Sequence, residues 1–283
     1  MRNHGTGDIQ KAGYRLSYFA WIGIKQTAEE RRMQGFKNQN GIPDISARTL
    51  HILAMLFMLF DHLWATVIPG QNWLTCVGRL AFPIFAFLTV EGYFHTHDFK
   101  RYMQRLLLFA IISEVPFNLM YGGSIVYPYH QNVLWTFLIA LSGIWLIERA
   151  KQRMKGWRIV LTALLISGLV SLAGTIAMTD YYGAGVLMVL TFYFFHGRKW
   201  WCLLGQFLML FWINVSLLGS MYYPVKLFGM ELEIVQQGFA LFSLALIWLY
   251  QGRQGAHSKG FQYFCYAFYP VHITILVLLA ARL

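Results

Sequence analysis

From residue 50 to the C-terminus the chain is a succession of apolar runs separated by short polar or charged stretches. Within each run the apolar residues are continuous rather than alternating, which predicts helices that are hydrophobic around most of their circumference. Nine such segments are predicted, at residues 50–68, 73–93, 102–121, 133–147, 159–178, 183–195, 200–218, 239–250 and 261–279. Most approach the roughly 20 residues a helix needs to cross about 30 Å of hydrocarbon. The segments at 183–195 and 239–250 are short, and these two are expected to shift or to be partly re-entrant.

Composition sharpens this picture. The 283 residues are 57% hydrophobic and only 12% charged, against about 25% charged in a soluble domain. A soluble globule is excluded, and with no Gly-X-Y period and no ten-residue alternation so are collagen and an outer-membrane barrel. The fold class is therefore all-α: a polytopic transmembrane helical bundle of about nine spans.

The net charge of +11 suggests anionic partners until the positions of Lys and Arg are considered, because most lie between the spans. Lys25, Arg31, Arg32, Lys37 and Arg48 precede the first span, and further groups fall at Lys100 and Arg101, from Arg149 to Arg158, at Arg198 and Lys199, and at Arg253 and Lys259. The intervening loops near Gly70, at 122–129 and at Asp180 have no Lys or Arg, and the loop near Pro224 sets Lys226 against Glu231 and Glu233. Since basic residues concentrate on the cytoplasmic side, this alternation places the N-terminus in the cytoplasm and the C-terminus outside. It offers no case for nucleic acid. Residues 1–48 form a polar, basic cytoplasmic arm in which 14–24 could lie as an interfacial helix on membrane lipid. Residues 49–283 form one membrane domain. Cys76, Cys202 and Cys265 show no C-x-x-C spacing, so neither a disulfide framework nor a metal site is indicated.

Ionisable residues at membrane depth are costly and turn inward, so chemistry is sought there first. Asp61 and His62 occupy the outer half of the first span, about 100° apart on the helix, so each faces a different neighbour. Arg79 precedes Pro83 at the outer start of the second span. Glu114 and Asn118 share a face of the third span beside Pro116, and Asn132 and Asp180 lie in outer loops. A histidine flanked by carboxylates can act as a general base, and an arginine can hold a developing oxyanion. A second group, Glu91, His95, Lys100, Arg101 and Arg105, makes a basic mouth at the cytoplasmic side suited to an anionic cosubstrate such as a nucleotide-bearing thioester. His272 lies near mid-membrane in the last span. These groups fit an acyltransferase, but also a proton-coupled small-solute transporter with Asp61, His62 and Glu114 as relay.

Seven segments carry a family resemblance: Phe60-Asp61-His62, residues 78–87, Glu91-Gly92-Tyr93, residues 113–118, Gln131-Asn132-Val133, residues 179–187 and residues 268–272. In this order, from about Thr49 to the end, the chain resembles the TraX family, named for the acetylase that modifies the N-terminus of F pilin. The resemblance implies a multi-pass acyltransferase of a bacterial-type plasma membrane, taking acetyl from acetyl-CoA. The acceptor would be a glycan, a lipid-linked sugar or a peptide amine. For that activity the residues themselves lead us to expect His62 as base, oriented or made more basic by Asp61, with Arg79 and Asn132 steadying the oxyanion and Glu114, Asn118 and Asp180 completing the centre. Glu91, His95, Lys100, Arg101, Arg105 and His272 would serve the cosubstrate. Wider transmembrane acyltransferases commonly show an Arg, ten residues, then the catalytic His; here Arg48 and His62 are separated by thirteen.

Overall fold

The computed structural model describes residues 44–219, 221–227, 230–255 and 258–283; the expected interfacial helix at 14–24 and the early basic residues lie outside these. Each of the nine predicted segments coincides with helix. Seven are long and apolar enough to cross a membrane: Ala47–Thr66 (α1), Asn72–His95, Phe99–Gly122 (α4), Val133–Arg153 (α5), Trp157–Ile176 (α6), Trp200–Leu218 and Lys259–Ala280 (α10). Two are shorter, Tyr182–Phe194 (α7) and Gln236–Leu249.

The second span is two helices, Asn72–Gly78 (α2) and Ala81–His95 (α3), with the chain turning at Arg79 and Leu80. Pro83 falls in the first turn of α3, where a missing N–H deprives the helix of nothing. Pro116, by contrast, lies inside α4, and the helix continues through it to Gly122 and ends on left-handed Gly123, the usual device for closing a helix. The sixth long span changes character, running as α8 (Trp200–Phe211) and then as a π-helix over Trp212–Leu218. The sequence pattern gives no sign of the hairpin that follows, in which β1 (Tyr222–Leu227) pairs antiparallel with β2 (Met230–Val235). The eighth segment is a 3-10 turn, Gln236–Phe242, leading into the short helix Ser243–Leu249 (α9).

Helices α3 and α7 form the centre. On α3 nearly every residue from Ala81 to Glu91 is buried, and α7 is buried along most of its length. Such all-round burial explains their uninterrupted hydrophobicity. At 13 residues, α7 is about 20 Å long; surrounded by longer helices, it need not match the bilayer. Helix α6 is peripheral: Leu161, Leu165, Leu169 and Leu172 point outward, while small or slender Ala163, Ser167, Val170 and Gly174 face the bundle. Small residues let helices approach closely in lipid, where hydrophobicity alone cannot drive them together. At the other end of the bundle the first turn of α1 is fastened. Ser46 caps it, and the Ala47 and Arg48 amides donate to the Arg253 and Gln254 carbonyls.

Candidate active site

His62 stands 15 residues above Ala47 on α1, and His272 stands 13 above Lys259 on α10. At 1.5 Å per residue these are nearly equal heights of about 20 Å, and the packed helices bring the rings together. His62 Nδ1 lies 2.7 Å from His272 Nε2, with the rings parallel and both buried. His272 Nδ1 is 2.6 Å from the Phe268 carbonyl oxygen, and the Phe268 ring stacks on His272. His272 therefore belongs with His62 and not with the cosubstrate mouth.

Asp61 faces the other way, toward α2. Its Oδ1 accepts from Thr75 Oγ1 at 2.7 Å and from Arg79 at 3.0 Å. The expectation that Asp61 orients His62 is thus corrected: adjacent helical positions diverge by about 100°, and the carboxylate is spent on Thr75 and Arg79. The approach of α1 to α2 depends on Gly78, where a Cβ would stand 2.5 Å from that of Asp61. Arg79 also donates to Thr75, and its Nη1 lies 3.5 Å from Gln237 Oε1. Gln237 donates to Asn214 in the π-helical turn. The π-helix thus places an amide within one residue of the guanidinium, a common use of such turns. Arg79 Nε is buried without a hydrogen-bond acceptor, and the guanidinium is near enough for its charge to act on His62.

Asp180 is fixed by an unusual backbone. Met178, Tyr181 and Tyr182 all have positive φ, at of order 1–3 kcal/mol each for residues with side chains. Backbone bonds hold the turn: the Gln131 amide donates to Met178 O and the Asp180 amide to Gln131 O, both at 2.8 Å. Asp180 Oδ1 is 3.4 Å from His130 Nε2. Tyr181 stacks on Phe82 at 4.0 Å and lies beside Arg79. Burial pushes the Tyr181 phenol up, against the lowering pull of Arg79, so it remains a protonated donor.

Glu114, Asn118 and Asn132 form a separate brace. Asn132 caps α5 through Oδ1 and donates from Nδ2 to Ala110 O and to Glu114 Oε2, and Trp135 donates to the same carboxylate oxygen at 2.9 Å. With its donors so engaged, Asn132 has none for an oxyanion, and that expectation is corrected. Asn118 donates to Ile125 O and holds the following loop.

The predicted mouth also divides. Glu91 is buried, with His196 Nε2 at 2.6 Å, the Tyr250 hydroxyl at 3.0 Å and His95 at 3.5 Å. This carboxylate closes an internal network and does not frame an opening. Lys100 and Arg101 are exposed at the start of α4, where Arg101 pairs with Asp98 at 3.0 Å. Arg105, one turn further, reaches Tyr266 on α10. His196, Gln237 and Asn214 are not singled out by the sequence pattern. The two amides could have been noticed, since each interrupts an apolar run.

Residues 46–280 match the family model described as TraX protein. The chain belongs to the TraX family. Membership over that range, with seven apolar helices of spanning length among the described residues, makes it a multi-pass integral membrane protein. Among curated proteins, the chain is 29% identical over 252 residues to the probable fimbrial assembly protein FimC, serogroup H1, of Dichelobacter nodosus, covering 82% of this chain and 95% of that one. It is also 29% identical to the protein TraX of Escherichia coli over 144 residues, 50% of this chain and 52% of that one. The TraX of strain K12 aligns at the same identity over 140 residues, 48% and 51% of the two chains. No solved structure matches the chain significantly.

Proposed function

We propose that this TraX-family protein is an acetyl-CoA-dependent membrane acyltransferase whose acyl transfer is centred on His62. The observation that carries the reading is the buried contact between His62 and His272 beside Arg79 and Asp61, which combines a proton acceptor with a guanidinium that retains an unused N–H. His62 takes the proton from an acceptor hydroxyl or amine as its heteroatom attacks the thioester carbon. Arg79 stabilises the resulting oxyanion. Collapse of the intermediate breaks the C–S bond, and the proton on His62 passes to the departing thiolate, giving acetylated acceptor and free CoA. A proton acceptor held in place contributes about 10²–10⁴-fold to such a step.

The proposed orientation puts the basic loops in the cytoplasm. Lys100, Arg101 and Arg105 then line the donor's approach on α4, and Tyr266, which Arg105 contacts, precedes His272 by six residues on α10, about 9 Å along the helix. Asp180, His130 and the loop held by Asn118 lie at the opposite end, where the acceptor would be engaged. Family membership supports acetyl transfer, and the FimC name supports an acceptor connected with fimbriae.

The experiment uses purified full-length protein in lipid nanodiscs with acetyl-labelled acetyl-CoA. Binding of CoA and slow release of free CoA are expected, with release accelerated by an amine or hydroxyl acceptor. Absence of both would overturn the reading, and transport of an unaltered solute by proteoliposomes would favour the relay instead.

A further inference from the structure

We propose that His272 is a positioning residue which holds His62 in the Nδ1–H tautomer, so that the Nε2 of His62 is the atom that accepts the proton. This deepens the acetyl-transfer reading and rests on it for its catalytic consequence, but the tautomer itself can be measured without turnover.

The Phe268 carbonyl oxygen can only accept, and it lies 2.6 Å from His272 Nδ1, so His272 Nδ1 carries a hydrogen. In a neutral imidazole the other nitrogen then has a lone pair. His272 Nε2, as that acceptor, lies 2.7 Å from His62 Nδ1, which must supply the hydrogen. The reverse assignment would set two lone pairs against each other at Phe268. A neutral His62 bearing its hydrogen on Nδ1 has its remaining lone pair on Nε2, and no group among the described residues bonds that atom.

The surroundings preserve this order. Phe268 stacks on His272, and Tyr269 packs against both imidazoles. The nearby ion pair does not interfere, because Asp61 bonds Thr75 and Arg79. Two neutral links here take the place of a carboxylate that orients a histidine: the Phe268 carbonyl fixes His272, and His272 fixes His62. When His62 gains a proton at Nε2, its Nδ1–H bond to His272 becomes charge-assisted and shortens. The proton need not travel onward to His272, so it remains available for the leaving thiolate.

The test compares wild type with His272→Gln and His272→Leu, using full-length protein with 15N-labelled histidine in nanodiscs. Ring-nitrogen shifts report which nitrogen of His62 is protonated, and the His62→Ala spectrum assigns its signals. In wild type, Nδ1 protonated and Nε2 bare is expected. The glutamine variant, whose side-chain oxygen can accept the same hydrogen, should retain that tautomer and stay within about tenfold of wild-type kcat. The leucine variant should show a mixed tautomer and lose kcat by about 10²-fold or more, with KM for acetyl-CoA little changed. A merely structural His272 would lower Tm in the leucine variant without altering the tautomer of His62. Finding Nε2–H on wild-type His62, or an unchanged tautomer in folded His272→Leu, overturns the proposal. If wild type releases no CoA, acetyl transfer fails as a reading while the spectrum still decides the tautomer.

Discussion

Alanine at His62 is expected to cut turnover by about 10²–10⁴-fold, the usual contribution of a positioned proton acceptor, in protein that still folds. The ring is buried against His272, so its removal leaves one acceptor, His272 Nε2, without a hydrogen bond. That costs about 1–3 kcal/mol, a loss that a bundle packed along the lengths of its helices can absorb. Because the proton moves only in the transition state, kcat and kcat/KM should fall together, with KM for acetyl-CoA almost unchanged. Steady-state kinetics alongside a melting curve check this. Turnover at the wild-type level in folded His62→Ala would remove His62 from the chemistry.

The second large effect is at the Asp61–Arg79 pair. With side chains only 18% and 19% exposed, neutralising one partner strands the other charge, and about 3–5 kcal/mol of stability should be lost in either Asp61→Asn or Arg79→Gln. The double variant strands nothing, so most of that stability should return. Activity should not return with it, since the proposed oxyanion donor is gone; about 10²–10³-fold is the scale for losing one such donor. The two readouts separate a strut from a working group. A double variant that regains both stability and turnover would show that Arg79 only joins helices, and an Arg79→Gln variant of normal stability would show that the pair contributes little.

The sequence was most informative where burial is determined by local pattern. Uninterrupted apolar runs located every helical segment, including the short central α7, because a helix in this environment must be apolar on nearly all sides. The hairpin at Tyr222–Val235 and the π-turn around Asn214 were not legible, since both depend on how a segment already committed to the bundle meets its neighbours. The polar residues were legible as a set but not as partners. Asp61 and His62 are adjacent in sequence, which suggested cooperation, yet the helix sends one to Arg79 and the other to a histidine 210 residues away. Glu91 read as part of a mouth because its nearest sequence neighbours, His95 and Lys100, are exposed or basic. Its decisive partners, His196 and Tyr250, arrive from the segments that follow α7 and α9. Sequence proximity is therefore a poor guide to pairing in a bundle, while helix height is a good one: His62 and His272 stand at nearly the same distance above their basic ends.

That shared height is the core of the proposal, and a structure of the full chain with CoA bound tests it most directly. The account predicts the CoA sulfur within about 3–3.5 Å of His62 Nε2, the separation of groups poised to react, with the nucleotide phosphates among Lys100, Arg101 and Arg105. A CoA held wholly at the basic surface, with its sulfur remote from the paired imidazoles, would contradict it.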